Sequence, residues 1–582
     1  KLCTKDGPVE YPRQELPDAV KWGPEKWTID YRDKNRVNCY DTGTAPCKTA
    51  CPAHIAVQGY LKPAAQGKYR EALQLIKREN PFPAVCGRIC NRRCEDACTR
   101  GTVDQAVAID EVKRFIAQQD LDAATRFVPE KVIPKVDGEF DQQIAIIGGG
   151  PAGLSCAYYL AEKGYRPTVF EKERRLGGML ENGLPSFRLE KDVVQAEIDV
   201  LREMGVQFRC GVEVGKDVTI AQLRQEGFRG FYVAVGLQSG GKLDIPGGDA
   251  QGVTAGIDFM RRVNGGQETK LEGRVVVIGG GNIAADVART AVRCGAESVD
   301  LYCLESYDDM PMGPEDRGEC ERDGITIHAG WGQTEIVTEN GHAAGIRLRK
   351  CLRVKNDQGR FAPEFDDNDT CQAQCAAVLY CIGQKVDWRQ LLTGTAVTFN
   401  PNGTAQVDPV TYQTAEPGIF AGGDAVTGQK FAIDAIAAGK EGAISLHRFV
   451  QKATLTIGRN RRQFVELDKE NALIPVGFDN TPRQRIGYNE ALRRTFRDER
   501  IAFTAEQVQK ETARCLSCGA SVVDPNKCIG CGVCTTKCAF DAIHLHRERP
   551  ECTHMIPAED KMKAILPYMV KREIKIRKAG KK

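Results

Sequence analysis

Apolar and polar positions follow two different periods along this chain, and the period switches at identifiable points. Ile144 to Ile147 in "QQIAIIGGG" is a short apolar run of strand type, and "PAGLSCAYYLAEKG" after it has helical length and spacing. "PTVFEKE" then reads as a second strand. The same order returns at Val275 to Ile278 in "GRVVVIGGG", followed by the helical "NIAADVARTAVRCGA" and the stretch "SVDLYCLE". Apolar strands alternating with amphipathic helices and Gly-rich turns from 141 to about 450 predict parallel sheets, hence an α/β fold. Upstream, helical patterns run from Tyr69 to Lys77 and from Val107 to Gln118. Residues 1–38 are polar and rich in Pro, Trp and charge, and read as an extended arm. Residues 126–140 read as a linker. Residues 451–510 are charged and lack a strong period. The tail from Lys561 is basic, which predicts a solvated helix or frayed end, with docking to an acidic partner as the alternative.

The glycines at the first strand–helix junction change the picture from fold to chemistry. Gly148, Gly150 and Gly153 give the G-x-G-x-x-G spacing between a strand and a helix. The first makes the tight turn, the second admits a pyrophosphate close to the backbone, and the third lets helix and strand pack. The helix start then faces the phosphates with unpaired N–H groups. Glu171 ends the next strand, where a carboxylate can accept ribose hydroxyls. Gly178 is counted with this cofactor site. Far downstream, "TAEPGIFAGGDAVTG" places Asp424 after a strand and Gly422–Gly423. It resembles the late segment of pyridine-nucleotide-dependent flavoproteins, in which the Asp meets the flavin's ribityl chain; this implies FAD, with Gly423 and Asp424 as ligands. The second unit carries Gly279 and Gly281, with Ala284 in the third position. Its insertion between the two halves of the flavin unit implies a nicotinamide site, and hydride transfer between stacked rings needs orientation rather than a catalytic acid or base. No catalytic residue is therefore assigned.

Composition bounds the rest. At roughly 150 residues per domain, 582 residues suggest about four domains. A formal net charge of +3 gives no reason to expect nucleic acid. No run of 18 apolar residues is present, so no membrane span is expected. The chain has 24 cysteines. Seven fall between Cys39 and Cys98 and six between Cys515 and Cys538. In a chain with dinucleotide motifs this pattern predicts cluster ligation rather than disulfides, and a reducing, cytoplasmic setting. The stretch after Glu171, "KERRLGGMLENGLPSFR", has no cysteine, which disfavours a thiol–disulfide enzyme.

Cys528, Cys531, Cys534 and Cys538 give C-x2-C-x2-C-x3-C, the bacterial ferredoxin spacing, with Ala539 where Pro is usual. Cys515 and Cys518 are candidates to serve a second cluster there, with Cys538 and with Cys552 as a further candidate. The N-terminal set is Cys39, Cys47, Cys51, Cys86, Cys90, Cys94 and Cys98. "APCKTACPAHI" followed by "NPFPAVCGRICNRRCEDACTRG" resembles the two-cluster helical domain of the glutamate synthase small subunit, the NADH-dependent ferredoxin:NADP reductase large subunit and dihydropyrimidine dehydrogenase. The flavin and nicotinamide segments resemble the same family, so the likeness spans about 39–450. It implies that Cys39, Cys47 and Cys98 serve one cluster and Cys51, Cys90 and Cys94 another. Each set is one ligand short, because Thr42 and Lys113 stand where the family has ligands; Cys86 is a candidate to fill one gap. The family's NADP-binding arginine pair corresponds here to Leu304 and Glu305, and Glu305 is placed to accept ribose hydroxyls. NAD(H) is therefore expected over NADP(H), although Arg289 and Arg293 on the intervening helix offer another route to a phosphate.

The expected organisation is thus an arm (1–38), a helical iron–sulfur domain (39–125), the first half of an FAD domain (141–270), a nested NAD(P) domain (271–385), the second half of the FAD domain (386–450), a linker (451–510), a ferredoxin-like iron–sulfur domain (511–556) and a basic tail (557–582). The expected cofactors are FAD, NAD(H) and two to four [4Fe–4S] clusters. The expected function is electron transfer between NAD(P)H, FAD and clusters to other redox subunits or a ferredoxin, including within an electron-bifurcating complex. The alternatives are a glutamate synthase small subunit and a non-catalytic cluster-bearing scaffold.

Overall fold

A computed structural model describes residues 2–4, 7–9, 44–135, 138–241, 243–267, 269–457, 459, 480–518, 529–537, 545 and 557–579. Cys39, Cys528, Cys538 and Cys552 lie outside the described residues. The chain divides into two compact units. One is Thr44–Cys518, and the other joins Lys1–Gly43 to Gly519–Lys582.

In the larger unit, a helical layer comes first: α1 (Val57–Ala65), α2 (Tyr69–Lys77), α3 (Pro83–Ile89) and α4 (Ile109–Ala117). The period seen at Tyr69–Lys77 buries Ala72, Leu73 and Ile76 on one face. The first α/β unit follows with β1 (Gln143–Ile147), α5 (Pro151–Glu162), β2 (Thr168–Glu171), α6 (Lys191–Glu203), β3 (Gln207–Cys210) and β4 (Phe228–Val233).

The chain then enters the second unit. β5 (Val253–Ala255), α7 (Gly256–Asn264), β6 (Arg274–Ile278), α8 (Asn282–Arg293), β7 (Ser298–Cys303), α9 (Pro314–Asp323) and β8 (Thr326–Ala329) come in order. A three-stranded antiparallel meander follows, β9 (Trp331–Glu339), β10 (His342–Lys355) and β11 (Phe361–Gln374), before β12 (Ala377–Tyr380) returns to the sheet. The chain then goes back to the first unit with β13 (Ile419–Ala421) and α10 (Ala432–Val450).

Two parallel five-stranded sheets result, ordered β13-β4-β1-β2-β3 and β8-β7-β6-β12-β5. β13 pairs with β4 although the whole second sheet intervenes in sequence, which is the nesting the motifs predict. The fully apolar strands 144–147 and 275–278 are buried on both faces, as parallel strands covered by helices must be.

Residues 480–518 are not a free linker. They run across the larger unit as a strap. Arg500 donates to the carbonyls of Arg88 and Arg188, Arg293 donates to the Thr495 carbonyl, and Asp498 pairs with Arg114. The strap ends in α11 (Ala505–Ala513), which packs on α1. The ferredoxin-like boundary expected at 511 therefore moves: residues 511–518 pack with the helical domain. Polarity hid this, because the strap is held by arginines and carboxylates rather than by an apolar period.

The smaller unit contains an antiparallel pair, Leu2–Thr4 with Gly7–Val9, the short helix Val533–Lys537 and α12 (Lys561–Ala579). No described helix is long and apolar enough to cross a membrane.

Candidate functional site

The first and third glycines after β1 have the backbone geometry their spacing predicts. Gly148 has φ +108°, and a Cβ there would fall 2.4 Å from the Ala234 carbonyl oxygen. A Cβ on Gly153 would fall 2.0 Å from the Gly148 carbonyl oxygen, so only glycine lets α5 approach β1 this closely. Glu171 at the end of β2 accepts from the backbone N–H of Gly149 at 2.6 Å and of Glu173 at 2.9 Å. Burial pushes its carboxyl up, and those two bonds oppose the shift. Gly150 starts α5, and Gly178 faces it across the loop. Gly423 and Asp424 arrive from β13 at the same place. Burial pushes the Asp424 carboxyl up to about 7; the Lys430 backbone N–H counters this and nearby Asp434 adds to it.

These residues line one cleft of about 600 Å³. Gly148, Gly150, Glu171, Gly178, Gly423 and Asp424 are all in its wall. So are Asn282, Ile283 and Asp286 at the start of α8, the helix that follows the second glycine loop. In that loop Gly279 has φ +139°, Gly281 starts α8 and Ala284 is fully buried. Glu305 repeats the geometry of Glu171: a Cβ on Gly280 would fall 2.7 Å from its carboxylate oxygen, and one on Gly149 would fall 3.1 Å from that of Glu171. Both acids thus stand beside the middle residue of their glycine loops. No cysteine is among the residues lining the cleft.

Arg289 and Arg293 are turned away from this loop. Arg289 pairs with Asp323 at 2.8 Å and with Glu319, Arg293 pairs with Asp323 at 2.7 Å, and both guanidiniums lie over the Phe187 ring. They are interior braces, and the route to a phosphate expected of them is not supported. The acids of α9 that hold them gave no sign in the sequence.

The helical layer touches the cleft directly. Ile89, between Cys86 and Cys90, is in its wall. Arg93, next to Cys94, grips Asp434 at the start of α10 with two bonds of 3.0 and 3.2 Å. Sequence reasoning missed this pair, whose partners are 341 residues apart. Cys51, Cys90 and Cys94 sit together, with Lys113 facing Cys86, Cys90 and Cys94. Fully buried Lys113 meets Asp110 at 2.5 Å, an ion-pair contact without hydrogen-bond geometry. Glu197 of α6 anchors this group by accepting from the backbone N–H groups of Ala84 and Val85, at 2.7 and 2.9 Å, at the start of α3.

Cys47 and Cys98 are separate from that group and face Cys515 and Cys518. The expectation for Cys515 and Cys518 grouped them with Cys538, which lies outside the described residues; within the larger unit their neighbours are Cys47 and Cys98. Cys515 and Cys518 both lie in the larger unit, whereas Cys531 and Cys534 are exposed in the smaller one. None of these described cysteines is in a disulfide. Among the described residues no three His, Cys, Asp or Glu side chains close tightly enough to hold a single metal ion; the cysteine groups are looser than that.

Residues 142–439 match the family model "Pyridine nucleotide-disulphide oxidoreductase". The chain belongs to that family. Within this pyridine nucleotide oxidoreductase, residues 30–125 match the model for dihydropyrimidine dehydrogenase domain II, 4Fe-4S cluster, and residues 521–544 match "4Fe-4S binding domain". The chain is 34% identical to the NADP(+)-dependent formate dehydrogenase subunit beta of Moorella thermoacetica, over 82% of this chain and 70% of that protein. It is 30% identical to the NADPH-Fe(3+) oxidoreductase subunit beta of Geobacter sulfurreducens, over 82% and 75%. It is 30% identical to the glutamate synthase [NADPH] small chain of Escherichia coli, over 71% and 90%. The resemblance read from the cysteine and glycine segments is thus borne out.

Proposed function

We propose that this oxidoreductase is the nucleotide-handling subunit of a larger complex, moving electrons between a nicotinamide dinucleotide, FAD and [4Fe–4S] centres, and onward to a partner subunit or a ferredoxin. One observation carries this reading: the first glycine loop, the start of α8 that follows the second glycine loop, and Ile89 of the cysteine-bearing α3 line a single cleft. FAD would lie along Gly148, Gly150 and Gly153, with Glu171 on its ribose and Asp424 on its ribityl chain. When bound it supplies the exchange between two-electron and one-electron chemistry. The chain's own part is positioning. The starts of α5 and α8 present N–H groups to the phosphates of the two nucleotides. The Arg93–Asp434 pair fixes the start of α10, which also lines the cleft, to the segment bearing Cys94.

NADH is the proposed preferred nucleotide. Glu305 beside Gly280 would accept ribose hydroxyls and repel a 2′-phosphate, and such like-charge contact costs several kcal/mol as an order of magnitude. Arg289 and Arg293, held by Asp323, do not offset it. The relatives above carry NADP(+) or NADPH in their names, so the proposed preference differs from what those names say. Stopped-flow flavin reduction by NADH and by NADPH tests it. Faster reduction by NADPH overturns the preference, and Glu305→Arg should shift the ratio toward NADPH.

A glutamate synthase small subunit is the second reading, favoured by the 90% coverage of that relative. The segment 521–544 favours the first reading, because the subunit-beta relatives match over more of this chain.

A further inference from the structure

We propose that Cys47, Cys98, Cys515 and Cys518 together hold one [4Fe–4S] cluster, whose four ligands come from two regions of the chain. This rests on the reading of the chain as a cluster-bearing subunit. Neither cluster-family match claims the second pair: one ends at residue 125 and the other begins at 521.

Three observations meet at this place. First, the four cysteines line one small cavity, together with apolar side chains such as Val57, Leu61, Val107 and Ile109. A dry wall around four thiols suits a cubane, which needs four thiolates and little water. Second, of the set Cys39, Cys47 and Cys98 only Cys47 and Cys98 lie among the described residues, and two thiolates are half of what a cubane needs. Cys515-x2-Cys518 brings the two missing sulfurs in the spacing used by cluster-binding loops. Ser517 inside that loop has φ +55°, which curls it, and its backbone N–H faces the Cys515 sulfur.

Third, the two halves are clamped together beside the cysteines. Arg100 and Arg514 are both fully buried and share Asp104. Arg100 also donates to the Arg514 carbonyl at 2.9 Å, and Arg514 donates to the carbonyls of Gln105 and Thr481. Arg100 is two residues after Cys98, and Arg514 is one residue before Cys515. The clamp therefore sets the separation of the two pairs.

The test uses the full chain, purified anaerobically, with iron, zinc and flavin counted and the reduced clusters followed by low-temperature EPR. Cys98→Ala and Cys515→Ala should each lose about four iron atoms per chain, one cubane. They should lose the same EPR component, and the double variant should lose no more than either single variant. Cys531→Ala should lose a different component. Retained flavin and its bleaching by NADH show that each variant is folded. If Cys515→Ala loses its flavin, Cys518→Ser replaces it, and the component lost must still be that of Cys98. The proposal is overturned if the double variant loses about eight iron atoms, if Cys515→Ala keeps all its iron, or if it loses the Cys531 component. Zinc at this place would also overturn it. A wild-type chain without iron would instead overturn the reading beneath it.

Discussion

The guanidinium of Arg100 donates to the backbone carbonyl of Arg514 at 2.9 Å, across 414 residues of sequence. Through this bond and the shared Asp104, the strap closes on the helical layer. Arg514 also pairs with fully buried Glu511 at 2.7 Å, and Glu511 accepts from the backbone N–H groups of Ala108 and Gln484. Removing the arginine leaves that carboxylate buried without its cation. Arg514→Ala should cost about 3–5 kcal/mol, as breaking a buried pair does. It should also speed amide hydrogen exchange at 505–518. Unchanged exchange there would mean the clamp does not hold the strap.

The carboxylate of Glu197 is the N-terminal cap of α3, since it takes the backbone N–H groups of both Ala84 and Val85. Glu197→Ala should leave two buried donors unpaired, at about 1–3 kcal/mol each. Thermal unfolding should show the loss, and Glu197→Gln, which keeps one acceptor, should lose less. Equal losses would place the effect in packing rather than in the cap.

Gly153→Ala should abolish flavin retention. Its Cβ would fall 2.0 Å from the Gly148 carbonyl oxygen and drive α5 away from the loop. Flavin absorbance of the purified variant reads this directly. A full flavin complement would show that the loop tolerates the displacement.

The raised Asp424 predicts a pH effect on the flavin-free chain. Its carboxyl titrates near 7 in the folded chain, against an ordinary value of 3.8, so the folded state holds the proton more tightly. The stability this gives is present below about pH 4 and is lost as pH rises toward 7. Asp424→Asn should therefore gain relative to wild type across that window, by at most about 4 kcal/mol, and level off above it. Melting temperatures from pH 4 to 8 check the trend, and a constant difference would contradict it.

The glycine loops were legible in the sequence because their chemistry is local. Gly148 to Glu171 spans one strand, one turn, one helix and one strand, and each position has a reason that needs no distant partner. Even the nesting was legible, because Asp424 reappears after the second glycine loop. The cysteine partnership was not. Cys515 stands in sequence beside the ferredoxin-like set, and only the fold brings it to Cys98. The strap was illegible for the same reason. Its contacts are Arg500 to two carbonyls and Arg114 to Asp498, and polar contacts of this kind leave no hydrophobic period. The helix arginines were misplaced because a cationic side chain on α8 reads the same whether it faces a phosphate or Asp323.

The central claim is that nucleotide, flavin and clusters form one electron path. An anaerobic titration of the full chain with NADH, followed by visible absorbance and low-temperature EPR, tests it most directly. The account predicts that the flavin bleaches and reduced [4Fe–4S] signals then appear. In Cys531→Ala the flavin should still bleach, but electron delivery to a ferredoxin should fail. Flavin bleaching in the wild-type chain with no cluster signal at any NADH level would contradict the account.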